Sequence, residues 1–241
     1  MYMCGRFVLA SSVPEIARYF EASFDERLGL ELQPSWNVPP STRIPAITAD
    51  HHGARHLALY RWGLVPAWAN GLSFGANTAN ARAESIATKP SFRSAFRSRR
   101  CLIPADGYFE WKTTPGEVRQ PYLFQRADGD PLAFAGLWDI WYSPAERGEA
   151  PTAIVTCSIV TTEANHDVAA IHTRMPAILE SGGAWERWLD PDLHDRDELE
   201  SLIVPAAPGT LIRRRVGTAV GNVRNDGPHL IDEEPTSPSL F

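Results

Sequence analysis

Cysteine is scarce. Three thiols, Cys4, Cys101 and Cys157, are spread over 241 residues. They are odd in number, far apart and never in a Cys-x-x-Cys pair. This excludes a disulfide scaffold and a four-ligand zinc site, and favours a reducing, cytoplasmic compartment. Long apolar runs are also missing. The longest, Leu132–Trp138, falls far short of the roughly 20 residues of a membrane helix. Near the N-terminus only Phe7-Val-Leu-Ala10 separates Arg6 from the first serines, so no signal peptide or membrane association is expected. Net positive charge is absent: 23 Lys and Arg against 29 Asp and Glu leave −6. A generally basic nucleic-acid coat is thereby excluded, whereas a local basic groove is not. Internal repeats, long linkers and cofactor motifs are lacking, and no cofactor or metal is expected.

What is present fits one globular domain: 44% apolar and 22% charged residues in a chain long enough to bury a sizeable core. Twenty prolines and seventeen glycines cut it into short elements. Runs rich in β-branched and aromatic residues predict strands at Gly5–Ala10, Arg43–Thr48, Leu57–Trp62, Gly107–Lys112, Tyr122–Gln125, Leu132–Trp138 and Ala153–Val160, with a further one in Leu211–Val220. Helices are few. Ser12-Val-Pro-Glu15 is a capping-box pattern, Ser91 caps a short helix carrying Phe92, Ala95 and Phe96, and Asp195-x-x-Glu198 starts one running to about Ile203. The pattern predicts an α+β fold with a curved, mostly antiparallel sheet. Residues 1–226 form the domain, and residues 227–241 an acidic, Pro/Ser-containing tail that frays.

Several segments are suited to chemistry, each with a plainer alternative. Lys89 to Arg100 holds five cations and no acid. Cations interleaved with aromatics suit single-stranded nucleic acid, but a solvated helix face is the commoner outcome. Of eight tryptophans most belong to the core; Trp68, in a loop-like segment, is the one expected to be exposed. Asn80 and Arg82 share a face if their segment is extended; otherwise they belong to a polar loop. Glu110 lies in an aromatic strand, where desolvation would raise its pKa and suit it to acid–base work; alternation could equally turn it to solvent. His172 and Arg174 precede a Met-Pro, as a site histidine or a structural one.

Cys4 is the most informative residue. Once the residues before it are removed, its α-amine and thiol form a 1,2-aminothiol. With a reference pKa of about 7.7–8.0, the amine is partly neutral near pH 7. It can condense with an aldehyde, and the tethered thiol can then close a five-membered thiazolidine ring. Cys101 and Cys157 read as inert core thiols.

Taken in order, nine stretches resemble the SRAP (SOS response-associated peptidase) family. They are Cys4-Gly-Arg-Phe7, Pro34-Ser-Trp-Asn-Val-Pro-Pro40, Trp62-Gly-Leu-Val-Pro66, Asn80-Ala-Arg-Ala-Glu84, Lys89-Pro-Ser-Phe-Arg93, Arg100-Cys-Leu-Ile-Pro-Ala-Asp-Gly107, Tyr108-Phe-Glu-Trp111, Phe134-Ala-Gly-Leu-Trp138 and His172-Thr-Arg-Met-Pro176. The resemblance implies a twisted, barrel-like sheet and a groove for single-stranded DNA, with a thiazolidine formed between the N-terminal cysteine and the aldehyde of an abasic site. By motif, Cys4 is the nucleophile, Asn80 positions it or the sugar, Glu110 moves protons, and His172 assists sugar ring opening. Arg6, Arg82 and Arg174 take phosphates, and Trp68 and Trp111 stack on bases. Tyr108-Phe109 stands where many members have Phe-Tyr. Members usually begin Met-Cys, whereas this chain begins Met1-Tyr2-Met3-Cys4. Either translation from Met3 followed by removal of Met3 by a methionine aminopeptidase, or self-cleavage of the Met3–Cys4 bond, would expose Cys4.

Three functional readings follow. The first is covalent capping of abasic sites in single-stranded DNA by a monomer, in the cytoplasm and at the nucleoid when acting. The second is a cysteine peptidase acting on peptides in trans through Cys4, Glu110 and His172. The third is a single-strand-binding module in which Cys4 is incidental.

Overall fold

A computed structural model describes residues 4–28, 32–116, 118–144, 150–180 and 183–234. Its two longest strands, β10 (Leu132–Tyr142) and β11 (Ala153–Glu163), grow out of the longest apolar runs and pair antiparallel from Gly136↔Ile159 to Tyr142↔Ala153. Beyond β10 lie β7 (Arg100–Ala105), β4 (Arg43–Ala49) and β5 (Arg55–Trp62), each antiparallel to its neighbour. The end of β5 then pairs parallel with β11, Thr156↔Arg61 and Cys157↔Trp62, and closes the five strands into a ring. The expected α+β domain with a twisted, barrel-like and mostly antiparallel sheet is what forms, and this one parallel seam closes it. The aromatic and aliphatic side chains of these strands, with Cys101 and Cys157, fill the main core. Gly63 lies at the seam with φ +123, where a Cβ would come within 2.5 Å of the Gly75 carbonyl oxygen. Glycine alone permits both that conformation and that approach.

A second, five-stranded sheet packs one face on this core. Its order is β13 (Leu211–Arg215), β9 (Gln120–Arg126), β8 (Gly107–Lys112), β1 (Phe7–Leu9) and β3 (Ser35–Val38). Alternation along β8 divides its side chains: Tyr108 joins the main core, while Phe109 joins Val8, Leu123, Val216, Val220 and Leu230 in a second core on the other face. Trp36 and Trp111 pack at its edge. The roof of this second core is the segment after β13, with 3-10 turns at Thr218–Gly221 and Pro228–Ile231. The expected fraying after Gly227 is therefore incorrect as far as Glu234: Leu230 is buried, Val216 bridges Glu233, and Arg215 pairs with Glu234. Apolar Leu230 and Ile231 anchor a stretch whose prolines and acids read as a tail. Residues 235–241 lie outside the described residues.

Short strands β2 (Ala22–Phe24), β6 (Asn80–Arg82) and β12 (Arg174–Pro176) attach to the barrel edges. The helices are also short: α1 (Val13–Tyr19), α2 (Ala83–Ile86), α3 (Arg93–Ser98), α4 (His166–Ala169), α5 (Ala184–Leu189) and α6 (Arg196–Leu202). Two expected starts form, at Ser12 for α1 and at Asp195 for α6, where the Asp195 side chain accepts from the Glu198 N–H at 2.8 Å. Helix α3 is capped by Phe92 rather than Ser91. Among the described residues, no helix is long and apolar enough to cross a membrane.

Candidate active site

Cys4 stands three residues before β1 in a left-handed turn, φ +43, and is 3% exposed. Its backbone nitrogen donates to Glu110 Oε1 at 2.7 Å. Glu110 shares the inward face of β8 with Tyr108 and is 2% exposed, so the alternation that could have turned it to solvent turns it into the core. Burial pushes the Glu110 carboxyl above its ordinary value. Charge on nearby His172 and the N–H groups of Cys4 and Trp111 oppose that rise. The Cys4 thiol is itself pushed well above its usual value, first by burial and then by Glu110. The pair is therefore a protonated thiol beside a carboxyl that holds its proton more readily than a surface glutamate.

His172 lies between α4 and β12. Its Nδ1 is 3.1 Å from the Arg174 N–H. The same Nδ1 lies 3.2 Å from the Arg174 carbonyl oxygen, so both main-chain polar groups of Arg174 hold the ring. The nearby end of β11 gathers the other expected residues. Along one edge it pairs parallel with β6, Ile159↔Asn80 and Thr161↔Arg82; along the other it pairs with β12, Glu163↔Arg174. Ala81 is buried between Asn80 and Arg82, which leaves Asn80 half-buried and Arg82 exposed. Asn80 and Arg82 thus occupy an extended segment, as their shared face requires.

The cations are not equivalent. Arg174 is engaged by both carboxylate oxygens of Glu84 and by the Thr161 carbonyl at 2.6 Å, rather than free for a phosphate. In the Lys89–Arg100 run, Arg99 pairs with Asp139. Arg100 is buried, donating to the carbonyls of Phe96, Arg97, Trp188, Asp190 and Leu193. Only Lys89, Arg93 and Arg97 of the five are exposed. This part of the basic run supports the ends of α3 and α5.

Arg6 is different. Its Nη1 donates to Asn37 Oδ1 at 2.7 Å and to the Val220 carbonyl at 2.9 Å, while its guanidinium lies 5.9 Å from the centre of the Trp111 ring. Arg119 lies 5.8 Å from the same ring. These residues border a cavity of about 510 Å³, with Gly5, Pro40 and Ser41 on its wall, directly beside Cys4 in the chain. Trp111 is half-buried there. Trp68 is 59% exposed, as its loop position predicts, and stands edge-on to Phe74, which packs against a small separate cluster of Val65, Ala69 and Trp141. Arg119 and Asn37 carry no expectation from sequence: Arg119 follows an irregular loop, and Asn37 lies in a matched motif without an assigned role.

The arrangement places a thiol, a main-chain nitrogen, a buried carboxyl and an imidazole together. An aromatic and two guanidinium groups border the adjoining cavity. Among curated proteins, the chain is similar to "Abasic site processing protein YoqW" of Bacillus subtilis (38% identical over 231 residues, 95% of this chain and 99% of the relative). It is similar also to "Abasic site processing protein YedK" of Escherichia coli (30% identical, 95% and 99%) and "Abasic site processing protein HMCES" of Gallus gallus (30% identical, 95% and 77%). A crystal structure of a Bacteroides thetaiotaomicron protein superposes with a TM-score of 0.84 at 26% identity, covering 96% of this chain and all of that one. The family model for SOS response associated peptidase matches residues 3–223. Family and fold thus agree, and the chain belongs to the SOS response associated peptidase (SRAP) family.

Proposed function

We propose that the chain processes abasic sites in single-stranded DNA by covalent capture through Cys4. The names of its relatives, abasic site processing proteins, support the abasic site as what it acts on. The observation that carries the chemistry is the 2.7 Å separation of the Cys4 nitrogen and Glu110 Oε1, with both residues almost wholly buried.

The steps follow from those groups. As written, Met3 precedes Cys4, so the Cys4 nitrogen is an amide and cannot form an imine. In self-cleavage the thiol adds to the Met3 carbonyl carbon. The carbon–nitrogen bond breaks, nitrogen takes a proton delivered by Glu110, and water hydrolyses the thioester to restore the thiol. The free amine then adds to the aldehyde of the ring-opened deoxyribose. The hydroxyl of the resulting carbinolamine leaves as water, with Glu110 moving the proton, and an imine forms. The thiol adds across the C=N bond, its proton passing to nitrogen, to give a thiazolidine. The balance is protein plus aldehyde less one water. Arg6 and Arg82 hold phosphates, Trp111 and Trp68 offer faces for bases, and Asn80 and His172 orient the sugar.

The test is intact mass spectrometry of protein whose N-terminus is Cys4, before and after incubation with an abasic single-stranded oligonucleotide. The expected product survives denaturation and weighs the sum of the partners less one water. Absence of any such product, or equal capture by protein that retains Met1–Met3, overturns the proposal.

A further inference from the structure

Asn37, on β3, is 2% exposed and uses its amide at both ends. Its Oδ1 accepts from Arg6 Nη1, and its Nδ2 donates to the carbonyls of Asn222 at 3.0 Å and Asn225 at 2.7 Å. The next residue back repeats the link: the Trp36 N–H donates to Asp226 Oδ1 at 2.7 Å. Arg6 closes the triangle through the Val220 carbonyl. One buried amide therefore ties a guanidinium to the segment that roofs the second core.

Donor counting shows what this does. A guanidinium has five N–H donors in a planar fork. Both Nη1 hydrogens of Arg6 are taken, by Asn37 and by Val220. Nε and Nη2 have no partner among the described residues, and Arg6 borders the cavity beside Cys4. Nε–H and one Nη2–H form the edge that meets two oxygens of a phosphate at once.

We infer that Asn37 is a positioning residue that presents the Nε/Nη2 edge of Arg6 to a DNA phosphate, and that residues 220–225 are a structural part of the DNA site. This rests on the reading of Arg6 as a phosphate ligand. A side chain as long as arginine loses much rotamer freedom when it binds. Holding Nη1 beforehand removes part of that cost from binding.

The test is equilibrium binding of an unmodified single-stranded oligonucleotide across a salt series, for wild type, Arg6→Ala, Asn37→Ala and the double variant. Arg6→Ala should flatten the log–log salt slope by about 0.7, the value of one phosphate on a single strand. Asn37→Ala should flatten it by a similar amount, and the double variant no further than Arg6→Ala alone. A purely structural asparagine lowers the melting temperature without this non-additive loss of slope. A wild-type slope in folded Asn37→Ala, or additive losses in the double variant, overturns the inference. Should Asn37→Ala not fold, hydrogen exchange of the wild type decides. Bound oligonucleotide should slow exchange of the Asn222 and Asn225 amides, and unchanged exchange overturns the inference. The two readings fail separately. Absence of an abasic adduct with the slope pattern intact refutes capture alone, whereas normal adduct formation without the slope pattern refutes the role of Asn37 alone.

Discussion

Glu84 holds the guanidinium of Arg174 in a two-oxygen ion pair at the edge of the candidate DNA site. Arg174 therefore meets a phosphate only by exchanging one anion for another. Glu84 is about half exposed, and a pair of that kind contributes at most about 1 kcal/mol. Glu84→Gln should raise affinity for unmodified single strands and steepen the salt slope by up to about 0.7, as Arg174 becomes available for one more phosphate. Weaker binding with an unchanged slope would show that the pair serves the fold alone.

Arg82 is exposed on β6. Arg82→Ala should weaken binding to any single strand and flatten the salt slope by about 0.7. An unaltered slope in titrations at several salt concentrations would place Arg82 off the path of the strand.

Glu110→Gln preserves size and one acceptor at Oε1 but cannot exchange a proton. Capture of the abasic aldehyde by Cys4-terminal protein should slow by about 10²–10⁴-fold, the usual contribution of one proton-transfer group. Binding of unmodified strands should barely change, since a buried carboxyl attracts no phosphate. Equal losses in binding and capture would make Glu110 structural.

The same substitution has a pH signature. Burial raises the folded-state pKa of Glu110 above the ordinary 4.5, so between 4.5 and the raised value the folded protein binds more protons than the unfolded chain. Stability from this group is present below 4.5 and falls as pH rises through the window. Glu110→Gln removes that dependence. Its melting temperature relative to wild type should climb as pH rises from 4.5. A difference independent of pH would mean that the carboxyl titrates normally.

Arg100 satisfies five carbonyls, with the charge of the Asp190 carboxylate nearby. Arg100→Met strands several of them at about 1–3 kcal/mol each. Urea denaturation should show a loss of at least about 3 kcal/mol. The salt slope for DNA should be unaffected wherever the variant stays folded, in contrast to Arg82→Ala.

Strands with period-two or long apolar patterns were legible in the sequence, β10 and β11 foremost. Strand β7 was not: all six of its residues are buried, so nothing alternates, and it begins with a charged residue and contains Pro104. Strands β2, β3, β6 and β12 are too short for a pattern, three or four residues each, and exist because the barrel and the second sheet offer edges to them. At the site, the motifs supplied Cys4, Glu110 and His172, but whether Glu110 points inward depends on which face of β8 meets the core. The partners of Arg6 were invisible for a different reason. Asn37 and Val220 are separated from it by 31 and 214 positions, and no local pattern encodes such a contact.

That separation orders events in time. During synthesis Cys4 emerges first, the carboxyl that touches its nitrogen follows 106 positions later, and the carbonyl that anchors Arg6 follows later still, 214 positions beyond Arg6. The parallel seam likewise waits for Thr156 to reach Arg61. Contacts between such distant segments form late, once domains fold as units. A nascent chain therefore carries Cys4 and Arg6 long before their partners exist, and the contact of Arg6 with the roof of the second core is among the last to form.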